Sequence, residues 1–569
     1  MPKLFHLHIE NFRGIEKFDH TFNDGLTCII GRGDSGKTTI LDAISYVLSP
    51  LYTIPFTDSD FHDCNVESPI KIEATLTDLT DEILRKVGER IIGVKNGEII
   101  TSMTSPEAQD GITDAVTIQL KVEKDLEPEW YLLGADGVEP KPIRASEREL
   151  FNCFYISEYN DRHFTLSKGT PLSTLFKQKA EKKVDILNAE LIADLGRNAK
   201  KGFEEAIQSE EIFAEVVNAI TQNATDLGLK TGEVKASLDQ REFLLRENKI
   251  ALHQENVPLR QLGKGSKRLL SLAIQLSLTN PSGIILIDEI EQGLEPDRIH
   301  QVVSQLASKI GIQIIITTHS QHVVEELDCC NLYIKSHPGE GLLKIEPTNE
   351  LQGLVRKHPL ALFAKSIIIG EGATEYGFIR GLNEVWQKNG YKSMSFYGVC
   401  AINGNGNECI DTAKRLNKLG YRVALLCDSD VPTVNVQKTN LQDLGVTVYD
   451  CEDKLAFETQ IFKDSPWDTV KNLINYRIGC DQTSKSVFEN IKRNLGSPQE
   501  YSENWFEVES DDLRLAIGKS SGNTNNPWFK KIGMGYDVAL IVMENFELSS
   551  METRLYKNIS DLRKWIETR

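Results

Sequence analysis

The stretch Gly31-Arg-Gly-Asp-Ser-Gly-Lys-Thr38 decides the fold of the first half of the chain. It matches the pattern G-x-x-x-x-G-K-[ST] and lies between an apolar run at 25–30 and an amphipathic segment at 39–48. In this pattern the glycines let main-chain N–H groups surround a phosphate at the start of a helix. The sequence therefore predicts a strand, a phosphate-binding loop and a helix. The alternative is a tight strand-to-helix turn that binds no ligand.

The loop also predicts which residues contact a nucleotide. We expect Lys37 to reach the β- and γ-phosphates of ATP and the hydroxyl of Thr38 to face the Mg²⁺ that accompanies it. The remaining predicted contacts come from the rest of the loop and the start of the helix: Gly31, Gly33, Asp34, Ser35, Gly36 and Thr39.

A nucleotide site of this kind also needs an acidic motif at the end of another strand. Four apolar residues at 284–287 precede Asp288, which we expect to hold Mg²⁺, and Glu289, which we expect to polarise the attacking water. The next apolar run, 312–317, leads to His319, where a histidine could sense the γ-phosphate. A histidine at a strand end more often has a structural role, but its order after the other two motifs favours the functional interpretation.

Length and composition limit the classes of protein to consider. A chain of 569 residues is expected to form roughly two to four domains. With a net charge of −19, it needs a local basic patch, or divalent cations on gathered carboxylates, to bind a polyanion. The ten cysteines contain no C-x-x-C pair, which argues against a disulfide framework or a zinc module. No apolar run approaches the ~18 residues that span a bilayer, so we expect a cytoplasmic protein without membrane contact.

Acidic residues follow two further apolar runs in the second half. Glu371 and Glu375 follow the first run, and Asp428 and Asp430 follow the second. The carboxyl ends of parallel strands meet at one sheet edge, where ligands collect in open α/β sheets. We expect Asp428 and Asp430 to point the same way, and Glu371 and Glu375 to share a helix face. Carboxylates gathered in this way repel one another unless cations lie between them, and oxygen ligands suit Mg²⁺ or Mn²⁺. Two such ions about 4 Å apart can promote phosphodiester cleavage.

The order of these motifs resembles two known protein families. The first half, which opens with a strand containing Asn11-Phe-Arg-Gly14, is similar to ABC-type ATPases of the SMC/RecF kind. The second half resembles the TOPRIM domain, with Asn403-Gly-Asn-Gly406 as its glycine turn. An ATPase of this kind followed by a TOPRIM domain on one chain resembles the arrangement of the OLD (overcoming lysogenization defect) family. The resemblance implies an α/β fold: an N-terminal ABC-type P-loop ATPase with a helical insertion, then a C-terminal Rossmann-like TOPRIM nuclease domain.

The resemblance also implies how the ATPase assembles. A basic turn precedes Asp288 in the sequence, at Gln261-Leu-Gly-Lys-Gly-Ser-Lys-Arg268. The residues alone are compatible with the ordinary start of a helix. In ABC-type ATPases the corresponding turn completes the partner subunit's nucleotide site, which would make Gly265 and Ser266 ATP contacts. The loop Gly293-Leu-Glu-Pro296 would touch the same partner. The resemblance therefore implies a homodimer or higher homo-oligomer. Its subunits would be joined through the ATPase and the helical insertion, around two ATP molecules.

Two later motifs complete the implied nuclease site. Leu455-Ala-Phe-Glu458 is similar to the family's later acidic motif, so Glu458 would hold metal, with Glu452 as the competing residue. Asn526-Pro-Trp-Phe-Lys530-Lys531 resembles its basic motif, so Lys530 would stabilise the transition-state phosphate, with Lys531 as the competing residue.

These expectations divide the chain into four parts. Residues 1–170 form the first part of the ATPase, and 171–250 form a lysine-containing helical insertion that serves as a dimerisation arm or a DNA-facing surface. Residues 251–354 form the second part of the ATPase, with the basic turn, Asp288 and His319. Residues 355–569 form the TOPRIM nuclease domain with a C-terminal helical part, which includes a helical stretch at 464–505.

The resulting hypothesis is an ATP-regulated, metal-dependent DNA endonuclease that nicks or cuts both strands in defence against phage or other foreign DNA. It uses ATP with one Mg²⁺, and two Mg²⁺ or Mn²⁺ ions in the TOPRIM site. The catalytic residues are expected to be Glu289 in the ATPase and a nuclease set whose acids also hold the metal: Glu371, Glu375, Asp428, Asp430, Glu458 and Lys530. A helicase, a retron-type nucleic acid or another defence component is a possible partner.

Two other functions remain open from the sequence. The first is an ATP-switched DNA-binding or scaffold protein whose TOPRIM acids are inactive. The second, a topoisomerase or primase, is disfavoured because the sequence shows no obvious tyrosine nucleophile context and no zinc-ribbon cysteines.

Overall fold

The structure is a computed structural model that falls into two compact units. The first unit comprises Met1–Ile29, Gly36–Thr318 and His337–Gly341, and the second comprises Ile30–Ser35, His319–Ser336 and Leu342–Arg569. The predicted domain limits at residues 170, 250 and 354 stay predictions. The residues that the structure describes are 2–51, 53–101, 111–151, 153–156, 164, 194, 196–206, 215–218, 222, 252–278, 283–309, 311–336, 341–480, 484–495, 509–523 and 527–568.

The first unit contains an antiparallel sheet and a group of buried, mainly parallel strands. Its strands are β1 (Lys3–Phe12), β2 (Ile15–Thr21), β3 (Leu26–Ile30), β4 (Ile70–Thr77), β5 (Ile92–Lys95), β6 (Glu98–Ile100), β7 (Thr113–Val122), β8 (Pro128–Leu133), β9 (Lys141–Pro142), β10 (Cys153–Ile156), β11 (His253–Gln254), β12 (Val257–Pro258), β13 (Ile284–Ile287) and β14 (Gln313–Thr318). The antiparallel sheet has the order β2-β1-β4-β7-β5-β6, with β8 beside β7 and β9 beside β8.

The strands that position the nucleotide motifs lie side by side in the order β10-β13-β14-β3. β13 pairs in parallel with both β10 and β14. Every residue of β3, β13 and β14 is buried, as the continuous apolar runs in the sequence predict for strands covered on both faces. Outside residues 171–250, the α-helices among the first unit's described residues are α1 (Lys37–Val47), α2 (Asp81–Val87), α3 (Ala145–Arg148), α4 (Lys264–Leu278) and α5 (Pro296–Ala307).

Only part of the predicted helical insertion at 171–250 belongs to the described residues. Residues 196–206 are helical, as are the few other described residues of this stretch. The rest of the insertion, and with it most of the lysines noted there, lies outside the described residues.

The second unit is built on a parallel sheet. The strands of the second unit are β15 (Leu332–Ile334), β16 (Leu343–Lys344), β17 (Ser366–Gly370), β18 (Val399–Asn403), β19 (Arg422–Cys427) and β20 (Thr447–Asp450). β17 to β20 form a four-stranded sheet in the order β18-β17-β19-β20, with every neighbouring pair parallel. Because β17 and β19 are adjacent in the middle of the sheet, the residues that follow them leave the same edge side by side.

The second unit also contains eleven described α-helices, six of which follow the last strand of the sheet. They are α6 (Gln321–Glu326), α7 (Asn349–Lys357), α8 (Ala373–Lys388), α9 (Cys409–Lys418), α10 (Pro432–Asp443), α11 (Phe457–Asp464), α12 (Trp467–Gly479), α13 (Ser484–Leu495), α14 (Asp511–Ser521), α15 (Ile532–Glu544) and α16 (Arg554–Glu567). One hydrophobic cluster joins the sheet to the C-terminal helices, with Ile368, Phe457 and Trp528 among its buried members. The helices α12 and α13 confirm the helical prediction for the described residues of 464–505.

Glycines let α8 and α15 approach until their main chains touch. A Cβ atom on Gly377 would lie 2.1 Å from the carbonyl oxygen of Ile532, and one on Gly535 would lie 2.3 Å from that of Thr374. Such contacts leave no room for a side chain, since the neighbouring atoms belong to the main chain. The contact fixes the segment that leads into α15 beside the first turn of α8.

Two expectations from composition can be compared with the structure. The ten cysteines all lie in the described part of the chain and are free thiols. Among the helices of the described ranges, none combines the length and the apolar character that crossing a membrane requires.

Candidate functional site

The loop between β3 and α1 has glycines where its backbone requires them. Gly36 adopts a left-handed conformation (φ 88°) immediately before α1. Gly31 has φ 153°, and a Cβ atom there would lie 2.2 Å from the carbonyl oxygen of Lys335. The hydroxyl of Ser35 donates a hydrogen bond of 2.9 Å to the carbonyl of Arg32, which closes the turn. The loop therefore has the tight, glycine-dependent course of a phosphate-binding loop.

The predicted magnesium ligands of the nucleotide site converge. The hydroxyl of Thr38 lies 3.0 and 3.2 Å from the two carboxylate oxygens of Asp288. Thr317 donates to the same carboxylate at 2.5 Å, and the N–H of Glu289 donates to the Thr317 hydroxyl at 2.9 Å. Lys37, the first residue of α1, is 5% exposed. A hydroxyl and a carboxylate in contact are the oxygen donors that fit Mg²⁺ beside a nucleotide.

The other predicted nucleotide contacts differ in their exposure. Gly33 and Asp34 are exposed at the tip of the loop, where Asp34 has a left-handed backbone (φ 61°), and Thr39 is half-buried in α1. His319 follows β14 directly and is exposed. Within the second unit, His319 lines a cavity of about 650 Å³ together with Arg32 and Gly33 of the loop. His319 and the tip of the phosphate-binding loop thus border the same cavity, and the role of His319 as a γ-phosphate sensor stays a prediction.

The basic turn packs against the loop that follows Asp288 and Glu289 in the same chain. Gly265 and Ser266 lie in the first turn of α4 and are half-buried. A Cβ atom on Gly265 would lie 2.6 Å from the carbonyl oxygen of Gly293, which itself has φ 75°. Glycine at both positions therefore permits the close approach of the two loops.

Sequence reasoning missed the role of Arg268. This arginine is 3% exposed, and its guanidinium donates to the carbonyl of Asp288 and, at 3.3 Å, to that of Glu289. It ties the basic turn to the acidic strand end. A lone arginine before the apolar part of a helix was the only signal, and such residues are usually solvated.

Three of the five predicted metal-binding acids meet at the edge of the second unit's sheet. One carboxylate oxygen from each of Glu375, Asp428 and Glu458 lies within 4.8 Å of the others. Glu375 is in the first turn of α8, Asp428 follows β19, and Glu458 is in the first turn of α11. Glu375 is 4% exposed and Glu458 is 1% exposed. Buried carboxylates so close together require protons or cations between them.

The electrostatics of the cluster reflect this crowding. Burial, followed by repulsion from Glu458, raises the pKa of Glu375. Burial, followed by repulsion from Glu375 and Glu458, raises the pKa of Asp428 well above its usual range. Without a cation Glu375 and Asp428 therefore tend to retain protons, whereas a hard divalent cation would favour their ionised form. The set fits Mg²⁺ or Mn²⁺, which prefer oxygen ligands.

Glu371 contacts the main chain of Asp428, a member of the three-acid cluster. Its carboxylate accepts a hydrogen bond of 2.8 Å from the N–H of Asp428. The predicted glycine turn also holds its backbone, because the N–H of Gly406 donates to the Glu371 carbonyl and the N–H of Gly404 to the Gly370 carbonyl, both at 2.7 Å. Burial raises the pKa of Glu371, and the hydrogen bond from Asp428 opposes that effect.

Two predictions about the geometry of these acids need correction. Since α8 begins at Ala373, Glu371 lies in the preceding turn and does not share a helix face with Glu375. Since β19 ends at Cys427, alternation along a strand no longer applies to Asp428 and Asp430. Asp430 is exposed and lies outside the three-acid cluster, although its charge raises the pKa of Glu371.

The structure favours Glu458 over Glu452 as a member of the site. The hydroxyl of Thr374 lies 3.0 Å from the Glu458 carboxylate and 3.1 Å from the Phe529 carbonyl, both of which accept hydrogen bonds. The Glu452 carboxylate instead pairs with Lys463. Glu452 is therefore occupied elsewhere, whereas Glu458 is buried among the other acids.

Lys530, rather than Lys531, interacts with the acids. Partial burial lowers the pKa of Lys530, but the charges of Glu458, Asp428 and the neighbouring acids outweigh that effect and raise it. Lys531 is the N-cap residue of α15, and both lysines are exposed at the surface. Asn526, the first residue of the basic motif, lies outside the described residues.

Lys438 is a further charged residue that sequence reasoning missed at this edge. It lies in α10 and is 4% exposed, and its ammonium group donates to the carbonyl of Asp428. A lysine in a surface helix is normally solvated, so its sequence position gave no signal.

Comparison with known proteins identifies both halves of the chain. A profile described as AAA domain matches residues 6–256, and one described as AAA domain, putative AbiEii toxin, Type IV TA system matches residues 221–325. A profile described as overcoming lysogenization defect protein-like, TOPRIM domain matches residues 362–430. The chain fuses an AAA ATPase to an OLD-like TOPRIM domain. The TOPRIM match contains Glu371, Glu375, Asp428 and Asp430.

Curated relatives match more than half of the chain. Retron Ec83 probable ATPase from Escherichia coli is 24% identical over 388 residues, which are 58% of this chain and 70% of that protein. DNA replication and repair protein RecF from Oenococcus oeni is 22% identical over 362 residues, 56% of this chain and 93% of that protein. The ATPase that precedes the TOPRIM domain is therefore similar to RecF, which agrees with the predicted fold class.

A solved structure is also similar to part of the chain. A crystal structure of the SmcHead bound to the C-winged helix domain of ScpA covers 61% of this chain and 99% of its own, at 15% identity and a TM-score of 0.35.

Proposed function

We propose that the protein is a metal-dependent DNA endonuclease whose ATPase half controls cleavage. The observation that carries this proposal is the convergence of Glu375, Asp428 and Glu458 from three different elements within 4.8 Å, in a TOPRIM domain. Bound Mg²⁺ or Mn²⁺ would supply Lewis acidity towards the phosphodiester and its attacking water.

The residues of the TOPRIM site have separate tasks in this proposal. Glu375, Asp428 and Glu458 hold one cation in the buried cluster. Glu371 and the exposed Asp430, which interact electrostatically at the outer side, hold a second. Lys530 donates to the phosphate as negative charge develops on its oxygens, which lowers the energy of the transition state.

The ATPase half is proposed to regulate this chemistry. Thr38 and Asp288 hold Mg²⁺ beside ATP, Glu289 orients the hydrolytic water and His319 senses the γ-phosphate. Gly265 and Ser266 complete the nucleotide site of a second copy, so that ATP binding closes a homodimer and changes access of DNA to the nuclease.

We also propose a role in defence against phage or other foreign DNA, which the same comparisons support. The TOPRIM match is OLD-like, and one curated relative carries a retron in its name. A helicase, a retron-type nucleic acid or another defence component would be a suitable partner.

Incubation of the purified chain with supercoiled plasmid tests the proposed function. We expect relaxed or linear DNA with Mg²⁺ or Mn²⁺, none with EDTA, and a different rate when ATP is added. Asp428→Asn should abolish the products, whereas Glu452→Gln, which changes an acid outside the cluster, should not. ATP-dependent retention of DNA without any product would instead support an ATP-switched DNA-binding or scaffold protein.

A further inference from the structure

A buried lysine lies against the loop that carries one of the central acids. Lys438 is 4% exposed, and its ammonium group donates to the carbonyl of Asp428 and, at 3.1 Å, to the hydroxyl of Ser429. Transfer of an ammonium group out of water costs free energy that packing alone does not recover. The side chain is thus directed into the site by polar contacts with this loop.

The same face of α10 makes a second contact with the loop. Asn435 precedes Lys438 by three residues, a spacing that places both on one side of a helix. Its side-chain amide donates to the carbonyl of Ser429 at 3.1 Å. From the opposite direction, the N–H of Ser429 donates to the carbonyl of Leu455 at 2.9 Å. The turn after β19 is therefore held between α10 and the segment that leads into α11.

The contacts leave the carboxylate of Asp428 directed at the other acids. Lys438 binds the main-chain carbonyl of Asp428 and not its carboxylate. One carboxylate oxygen accepts a hydrogen bond of 2.6 Å from the N–H of Phe457, the residue before Glu458. The main-chain contact and the side-chain contact together fix both ends of Asp428.

Lys438 can act on a bound cation in two opposite ways. Its charge lowers the pKa of Glu371, which favours the ionised ligand, but it also repels a divalent cation. Its hydrogen bonds hold the loop in place, and loss of such support around a metal ligand typically weakens metal binding. The direct contact with the carbonyl of Asp428 and the second contact from Asn435 favour the supporting role.

We propose that Lys438 is a positioning residue that fixes the Asp428–Ser429 turn, so that the Asp428 carboxylate meets Glu375 and Glu458 before a cation binds. The inference rests on the proposed function for the identity of the cation, but it adds a residue outside the acidic and basic motifs. Its action is indirect, since Lys438 contacts a ligand residue and not the reacting atoms.

The test is Mn²⁺ binding by the whole 569-residue chain, measured by calorimetry without nucleotide or DNA. Asp428→Asn defines the part of the signal that comes from the TOPRIM site. Lys438→Met should weaken that part by about 10-fold. Lys438→Gln, which can still donate a hydrogen bond but has no charge, should lie between Lys438→Met and the unchanged protein. Lys418→Met removes an exposed lysine that pairs with Glu346 and should bind Mn²⁺ normally.

Cleavage provides a second readout that separates positioning from general stability. With Lys438→Met the Mn²⁺ concentration for half-maximal cleavage should rise by about 10-fold, while the rate at saturating Mn²⁺ should recover most of its original value. A lower melting temperature with unchanged Mn²⁺ dependence would show a merely structural role and overturn the proposal.

The outcomes distinguish this inference from the proposed function. If the unchanged protein shows no Mn²⁺ binding that Asp428→Asn removes, the proposed function fails. If it does bind, and Lys438→Met binds equally well or more tightly, only the role of Lys438 fails. Should Lys438→Met not fold, Asn435→Ala decides: a Mn²⁺ affinity weakened by about 3-fold or more supports the proposal, and an unchanged affinity overturns it.

Discussion

The main-chain N–H of Asp428 donates a hydrogen bond of 2.8 Å to the carboxylate of Glu371, although 57 positions separate the two residues in the chain. β17 and β19 are adjacent parallel strands, so the two acids leave the sheet next to each other. This main-chain hydrogen bond orients the Glu371 carboxylate even when no cation is bound. Removal of the Glu371 carboxylate should therefore disturb the acidic edge locally while the sheet below it persists, whereas a substitution at Asp428 retains the donating N–H.

Removal of a central acid is the first prediction. Glu371→Ala or Asp428→Ala should reduce plasmid cleavage to the level seen with EDTA, because each loses an oxygen ligand that no neighbour replaces. ATP binding, measured by filter binding, should be unchanged, since these residues are not part of the phosphate-binding loop. Cleavage by either variant at the rate of the unchanged protein would refute the metal assignment.

The two adjacent lysines of the basic motif should differ. Lys530→Met should lower kcat by about 10²-fold, as expected when a donor to the developing negative charge is lost, and KM for DNA should change less. Lys531→Met is the matched control, because Lys531 caps α15 at an exposed position. Single-turnover cleavage at saturating Mg²⁺ measures both, and equal losses in the two variants would contradict the assignment of Lys530.

Stability of the metal-free protein should depend on pH. The fold raises the pKa of Glu375 to about 8, so its contribution to stability is complete below the unfolded value of about 4.3 and is lost as the pH rises towards about 8. The melting temperature without metal should therefore fall between about pH 5 and pH 8, and saturating Mg²⁺ should raise it more at the higher pH.

Two variants control the pH experiment. Glu375→Gln should remove much of the pH dependence, because its amide does not ionise, while Glu452→Gln should retain it. The measurement is differential scanning fluorimetry with EDTA or Mg²⁺. A Mg²⁺-induced increase that is the same at both pH values would count against ionisation of the cluster on cation binding.

The contact between α8 and α15 gives a prediction for glycine. Gly377→Ala places a methyl group against the carbonyl of Ile532 and should lower the free energy of unfolding by about 1–3 kcal/mol. It should also slow cleavage, because the displacement of α15 moves Lys530. Gly353→Ala in α7 is the control: beyond the neighbouring backbone of its own helix, no atom lies within 4 Å of the position that its methyl group would take, so stability should stay the same or rise slightly. Urea unfolding and cleavage rates test both variants.

Much of the architecture could be predicted from the sequence because its signals are local. The continuous apolar runs correspond to β3, β13, β14, β17 and β19, and the glycine-rich loop stands between a strand and a helix as expected. Buried parallel strands need apolar residues on both faces, and that requirement is visible in a single segment.

The remaining features depend on contacts between distant segments. Lys438 and Arg268 look like solvated surface residues in the sequence, yet each is buried by hydrogen bonds to main-chain carbonyls. The choice of Glu458 over Glu452 depends on where α11 begins and on Lys463, which neutralises Glu452. The different burial of Asp428 and Asp430 follows from the end of β19, and element ends are poorly determined by periodicity.

The glycine contact between α8 and α15 also determines which fragments of the chain could work. The recognised TOPRIM segment stops at residue 430, but the lysine that balances its acids arrives from beyond residue 500, just before a helix that α8 accommodates. A protein shortened after α11 would keep every acidic ligand and lose Lys530. Under the proposed function such a protein would be an incomplete catalyst, and it would also lose the C-terminal members of the hydrophobic cluster that joins the sheet to these helices.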